Sequence, residues 1–191
     1  MTRIISGAAR GRRLQVPQKG TRPTSDRARE GLFSSLEARW GFNDSRVLDL
    51  FAGSGALGLE AASRGAIEVV LVDDNAAAVD IILGNMRVVG HPGVSVERHS
   101  VFDYLAHAPQ RHFDLVLADP PYAFAQAAEL IAALEPVLAD SAMVVIERPS
   151  DSPATQWPAG FEETGQKLKK RTFGIARMDM AIYHRSIGSP E

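Results

Sequence analysis

The stretch Arg46–Gly58, RVLDLFAGSGALG, decides how this chain folds. Arg46 to Phe51 is an apolar run of strand length that stops on a small, glycine-rich turn. Gly53, Gly55 and Gly58 follow in a G-x-G-x-x-G spacing, and Leu57 to Arg64 continues as a short helix closed by Gly65. A strand, a glycine turn and a helix in that order form the first unit of a doubly wound α/β sheet, with backbone able to approach a ligand closely at the turn.

Working outward, the alternation repeats. Glu68 to Val72 is a second strand and ends on Asp73-Asp74-Asn75. Ala76 to Val89 has helical periodicity, with Val79, Ile82, Leu83, Met86 and Val89 on one face and Gly90 as a stop signal. Val94–Val96, Phe113–Ala118 and Ala142–Ile146 read as three further strands, and Ala125–Leu138 as a helix. Strands alternating with helices predict a parallel sheet covered on both faces. In front, Arg3–Val16 holds two short runs around Gly7 and Gly11, a small hairpin, and Thr24–Trp40 is an amphipathic helix capped by Thr24 or Ser25. At the other end, Gln166–Phe173 and Met178–His184 flank Gly174 as a closing antiparallel pair, after a Ser- and Pro-rich loop at Asp151–Gly160.

Composition narrows the function. The 191 residues are 45% hydrophobic and 23% charged, ordinary globular values that predict one domain with a small appendage. With no cysteine there is no disulfide framework and no thiolate metal site. The five histidines lack metal-type spacing, so no metal is expected. No apolar run reaches membrane length and no signal peptide is present, which predicts a cytoplasmic protein. The net charge of -2 hides an asymmetry: residues 1–30 carry eight basic against two acidic side chains, and residues 166–185 six against one. Basic blocks at both ends of an acidic body predict a polyanion-facing surface.

Two acids bear on the ligand of the glycine turn. Asp73, twenty residues after Gly53, suits a ribose diol, as in dinucleotide enzymes. Asp49, inside the first apolar strand, would repel a pyrophosphate and welcome an ammonium group, which S-adenosylmethionine carries. The other reading of Asp49 is a helix-capping acid turned toward the N–H groups of the turn. Either Asp73 or Asp74 touches the ligand, the other lying in an exposed turn.

The strand Phe113–Ala118 ends in Asp119-Pro120-Pro121-Tyr122. Prolines donate no hydrogen bonds and fix φ, so carbonyls of this turn are expected to point outward as acceptors. With the Asp119 carboxylate they would receive an amine, and Tyr122 offers a face on which a base can stack. Methyl transfer to an exocyclic base nitrogen follows: the acceptors stabilise the charge that develops on nitrogen, and no covalent enzyme intermediate is needed.

VLDLFAGSGALGLEAASRG with DPPY resembles the class I S-adenosylmethionine-dependent methyltransferases that modify exocyclic amines. RIISGAARGRRL followed by TRPTSDRAREGLFSSL is similar to the RsmD family of bacterial 16S ribosomal RNA guanine-N2 methyltransferases. The resemblance covers nearly the whole chain. It implies an α/β, Rossmann-like sheet of seven strands, mostly parallel with the last strand antiparallel, plus an N-terminal β-hairpin extension. The extension is placed at 1–23 and the methyltransferase domain at 24–191. It implies cofactor contacts from Asp49, Phe51, Gly53, Gly55, Asp73 or Asp74, and from Ser100 and Val101, where Ser100 stands in place of the usual Asp or Asn. Catalysis would rest on Asp119, Pro120, Pro121 and Tyr122. RNA phosphates would be held by Arg10, Arg12, Arg13, Arg22, Arg27, Arg29, Lys167, Lys169, Lys170 and Arg171, although Arg27 and Arg29 can instead pair along their own helix with Asp26 and Glu30. The expected partner is 16S ribosomal RNA in the small subunit or an assembly intermediate, met by a monomer without an obligate protein partner. The rival readings are a DNA amino-methyltransferase, a dinucleotide oxidoreductase and a non-catalytic RNA-binding protein. Hydrolase nucleophile motifs are absent.

Overall fold

The computed structural model of the chain describes residues 1–17, 26–164, 168–169 and 176–185. Among the described residues, ten strands and five α-helices run in the order β1 (Thr2–Arg3), β2 (Arg13–Leu14), α1 (Asp26–Arg39), β3 (Arg46–Leu50), α2 (Ala56–Ser63), β4 (Glu68–Val72), α3 (Ala76–Val89), β5 (Val94–Glu97), α4 (Val101–His107), β6 (Phe113–Ala118), α5 (Ala127–Leu134), β7 (Leu138–Pro149), β8 (Phe161–Glu163), β9 (Leu168–Lys169) and β10 (Ala176–Tyr183). The main sheet is ordered β5-β4-β3-β6-β7-β10-β8, with β9 also paired to β10. From β5 to β7 all pairs are parallel, and β10 is antiparallel to each of its neighbours. This is the Rossmann-like α/β sheet expected of a class I methyltransferase.

Side-chain alternation divides the interior. Val47, Val69, Leu71, Leu115, Leu117, Met143 and Val145 point toward α1, α2 and α3. Leu48, Leu50, Val70, Val72, Val116, Ala118 and Val144 point toward α4 and α5. Strands buried on both faces are the rule in wound parallel sheets, and this is why their sequences read as continuous apolar runs. The chain order reverses at β3, with β4 and β5 laid to one side and β6 and β7 to the other. A ligand crevice opens beyond the carboxyl ends of the strands at such a reversal.

Three details go beyond or differ from the sequence reading. The closing strand pairs antiparallel with β9, as expected, and also has β7 on its other side and β8, a strand not anticipated, beside β9. Its residues Ala176 to Ala181 are all buried, which an edge position would not give. α4 is an unanticipated helix, short and started by Ser100. On α3 the buried face is Ala78, Ile82, Asn85 and Val89, while Leu83 is exposed, so the core-facing stripe is rotated from the one expected.

The hairpin β1–β2 is a two-stranded sheet of its own, yet its Ile4, Ala9 and Leu14 join the α1–α3 side of the core. Buried Glu60 accepts from the Ile5 and Ser6 amides at 2.8 and 3.0 Å, and Ser63 Oγ accepts from Ala9 N at 2.9 Å. The extension is thus bolted to α2 by hydrogen bonds as well as by apolar burial.

Gly58 sets how closely α2 lies on the sheet. A Cβ there would stand 2.3 Å from Leu71 Cδ2 and 2.9 Å from Val69 Cγ1, atoms fixed in the core. Gly58→Ala is therefore expected to destabilise the fold by about 2 kcal/mol, the usual cost of overpacking, despite alanine's better helix propensity. A chemical denaturation midpoint checks it; an unchanged or raised midpoint would contradict the packing account.

Candidate active site

The crevice is built where β3, β4 and β6 end in register, Leu50 lying between Val72 and Ala118. The residues just past these ends, Phe51 to Gly55, Asp73 to Asn75 and Asp119 to Tyr122, are brought together by the pairing alone. Asp49 lies one residue inside β3, 1% exposed, on the α2 face. Its Oδ2 accepts from Gly58 N at 2.8 Å, so one oxygen caps the first turn of α2. Its Oδ1 is buried and has no partner among the described residues. Burial pushes the Asp49 carboxyl well above the usual carboxylate range, the Gly58 amide opposes this, and the charges of Asp119 and Asp73 push it further up. Three acids on adjacent strand ends therefore share one electrostatic environment, and a cation entering it would relieve their mutual repulsion.

Asp73 is half-buried. Its Oδ2 accepts from Gly53 N at 2.8 Å and its Oδ1 from Asn75 N at 2.9 Å. It braces the glycine turn, and a carboxylate has lone pairs to spare for further hydroxyl donors. Asp74 is exposed, and the described hydrogen bonds tie Asp73, not Asp74, to the turn. Asn75 caps α3 by accepting from Ala77 N and Ala78 N. Gly53 and Gly55 take φ of 59° and 75°, left-handed values that a glycine adopts without a Cβ penalty. Phe51 is non-glycine yet has φ 59°, and its ring meets Phe124 edge-on at 5.2 Å. That contact joins the glycine turn to the segment just after DPPY, both rings packing against the α4–α5 side of the core.

Past β6, Asp119 N donates to Leu50 O at a long 3.4 Å, and Asp119 and Pro120 are partly buried. Tyr122 is 68% exposed, its ring offered outward. The Pro121 carbonyl accepts from Phe124 N at 2.8 Å, so the expectation that the carbonyls of this turn all point outward does not hold for Pro121. Ser100 and Val101 sit after β5 at the start of α4; the Ser100 hydroxyl is occupied with Asp103, accepting from its N at 3.1 Å and donating to Oδ2 at 2.6 Å.

The basic residues separate. Arg10, Arg13 and Arg27 are exposed. Arg12 is exposed too, but its Nη1 donates to the carbonyls of Val88 and Val89 at 2.6 and 2.7 Å, closing the end of α3. Arg29 is turned inward, 1% exposed, donating to Thr2 Oγ1, the Arg3 carbonyl and Asp26. Its guanidinium fastens β1 to α1 and is no phosphate ligand; pairing along the helix, the other option for Arg29, is what the structure displays. The backbone of Lys169 pairs with Arg177 at the crevice end of β10. Arg22, Lys167, Lys170 and Arg171, with the caps Thr24 and Ser25, lie outside the described residues.

Sequence reasoning missed Glu147 and Arg148, which lie near the carboxyl end of β7 beside the DPPY turn, with Ala118 opposite Ile146. Arg148 Nε is buried without a partner among the described residues. A charged pair closing an apolar strand at the crevice end was the available signal. It also missed Asn85, a buried polar residue on the apolar stripe of α3.

The family described as conserved hypothetical protein 95 matches residues 2–181. Ribosomal RNA small subunit methyltransferase D of Escherichia coli K12 is 36% identical over 169 residues, 87% of this chain and 84% of that protein. The Haemophilus influenzae protein of the same name is 35% identical over 179 residues, 91% of this chain and 89% of its own. The solved structure of the Escherichia coli methyltransferase yhhF aligns with a TM-score of 0.81 at 33% identity, covering 95% of this chain and 97% of that one.

Proposed function

The chain belongs to the ribosomal RNA small subunit methyltransferase D family, and from that premise we propose that it methylates the exocyclic N2 of a guanine in 16S ribosomal RNA, with S-adenosylmethionine as donor. The observation that carries the donor assignment is the buried, unpartnered Oδ1 of Asp49 at the head of the glycine turn. A buried acceptor without a partner calls for a ligand or water donor. The residues fit: Asp49 for the ammonium end, Asp73 for the ribose diol, and the Gly53–Gly55 backbone for close approach. A pyrophosphate-bearing dinucleotide would meet three carboxylates instead.

S-adenosylmethionine supplies an electrophilic methyl group on a sulfonium. The protein's part is to hold the amine. The Asp119 carboxylate and the Pro120 carbonyl accept its two hydrogens, which turns the nitrogen lone pair away from them and toward the crevice. As positive charge grows on nitrogen, both acceptors stabilise it. Tyr122 presents its exposed ring to the base, which must leave its stack to reach this turn. The outer grip falls to Arg10, Arg13 and Arg27, with Arg22, Lys167, Lys169, Lys170 and Arg171.

Incubation with labelled S-adenosylmethionine and either undermethylated small subunits, naked 16S RNA or DNA tests the reading. Label in guanine N2 of the subunit or its RNA is the expected result, and label confined to DNA contradicts it. The double variant Arg10→Glu/Arg13→Glu is expected to weaken RNA binding at least tenfold and to lower the slope of log affinity against log salt by about two, with cofactor affinity unchanged. An unaltered salt slope would remove both arginines from the RNA surface.

A further inference from the structure

We propose that Asn85 is a positioning residue of the cofactor site, through which the front extension holds the glycine turn in its ligand-ready form. Asn85 is 1% exposed and lies in the middle of α3. Its Oδ1 accepts from Gln15 N at 2.8 Å, and its Nδ2 donates to Gln15 O at 2.9 Å and to Ser54 O at 2.8 Å. Only one orientation of the amide satisfies a donor and two acceptors in this way, so the network fixes the side chain. Ser54 lies between Gly53 and Gly55, the two left-handed residues of the turn. Gln15 directly follows β2, the second strand of the extension. One carboxamide therefore bridges two segments far apart in sequence, both amide hydrogens committed.

The bridge works in both directions. If Gln15 withdraws, Asn85 loses two of its three bonds and a buried amide is left short of partners, a costly state that frees it to move away from Ser54. Without the donor on Ser54 O, a turn that rests on two glycines has fewer constraints on its backbone. Conversely, a ligand that orders the turn holds Asn85 in the rotamer that receives Gln15. By linkage the two effects are equal in free energy: the extension raises cofactor affinity by the factor by which cofactor steadies the extension. The inference rests on the reading that the glycine turn holds S-adenosylmethionine. It makes the extension part of the cofactor site as well as an RNA-facing arm.

The test uses the full chain and S-adenosylhomocysteine, the demethylated product, measured by calorimetry and by amide exchange. Gln15→Pro removes the N–H that Asn85 Oδ1 accepts and sets a ring carbon against that oxygen, at a position with an exposed side chain and no ligand role. It is expected to raise the dissociation constant about fivefold, and Asn85→Ala about tenfold, the worth of one and of several modest hydrogen bonds. In the unaltered protein, saturating ligand is expected to slow exchange of the Gln15 amide proton. Asn85→Asp, which keeps the acceptor for Gln15 N but sets an oxygen against Ser54 O, is expected to weaken binding at least as much as Asn85→Ala. If the unaltered protein binds S-adenosylhomocysteine while Gln15→Pro binds equally well and the Gln15 amide is indifferent to ligand, Asn85 has no such role. If the unaltered protein does not bind, the cofactor reading itself fails.

Discussion

Asp119→Ala is expected to lower methyl transfer by about 10³-fold or more while cofactor affinity stays within about twofold, because the lost acceptor acts on the amine as its charge develops and not on the donor. The geometry supports this division of labour. Asp119 lies past β6, partly buried on the DPPY turn, whereas the acids placed toward the donor are on β3 and past β4. Its charge also raises Asp49, so removing it slightly relaxes that carboxyl, which is the reason to expect little harm to cofactor binding. Single-turnover rates with undermethylated subunits, beside calorimetric titration of S-adenosylhomocysteine, separate the two quantities. A variant with near-normal rate would refute the role given to the turn. A variant that no longer binds cofactor would move Asp119 into the donor site.

Asp49→Asn is expected to weaken cofactor binding about 100-fold, the scale of leaving a cation without its buried partner. The substitution is close to isosteric and can keep the bond from Gly58 N through its amide oxygen, so the cap of α2 survives. The pH dependence has a definite sign. Burial raises the folded-state pKa of Asp49 above its ordinary 3.8, so between the two values the folded protein retains a proton that the unfolded chain has released. The stability of the free protein therefore falls as pH rises through that window, and Asp49→Asn removes this contribution to the fall. A cation at Oδ1 favours the ionised form, so cofactor binding expels the proton and affinity rises with pH through the raised value, then levels off. Titrations in buffers of different ionisation enthalpy measure the released proton directly. In Asp49→Asn the release should disappear and the free protein should be at least as stable at neutral pH. Equal proton release by the variant would mean that Asp49 is already ionised or is not the group that meets the ligand.

Much of this site was legible in RVLDLFAGSGALG and LADPPY because each stretch carries both its fold and its chemistry. An apolar run that ends on glycines or prolines places those residues at the carboxyl end of a strand, and the winding rule then brings all such ends to one crevice. The capping reading of Asp49 is what the structure displays, and it leaves room for the ligand reading because a carboxylate has two oxygens: one caps α2 and the other is left over. Arginines were less legible. Nothing in TSDRARE separates Arg27, which is exposed, from Arg29, which is buried under the hairpin, because the difference depends on where β1 returns across α1. Arg12 likewise became a helix closure only through the docking of the extension on α3. The place of β10 inside the sheet was hidden because β8 is too short to announce itself, and Asn85 was hidden because its partners are distant in sequence.

The most direct test of the central claim, a single crevice that receives the donor at Asp49 and the amine at Asp119, is a crystal structure of the full chain with S-adenosylhomocysteine. The account predicts the amino group of the ligand against Asp49 Oδ1, its ribose hydroxyls against Asp73, and its sulfur facing the Asp119–Tyr122 turn. Ligand density elsewhere on the molecule, or a sulfur turned away from that turn, would contradict it.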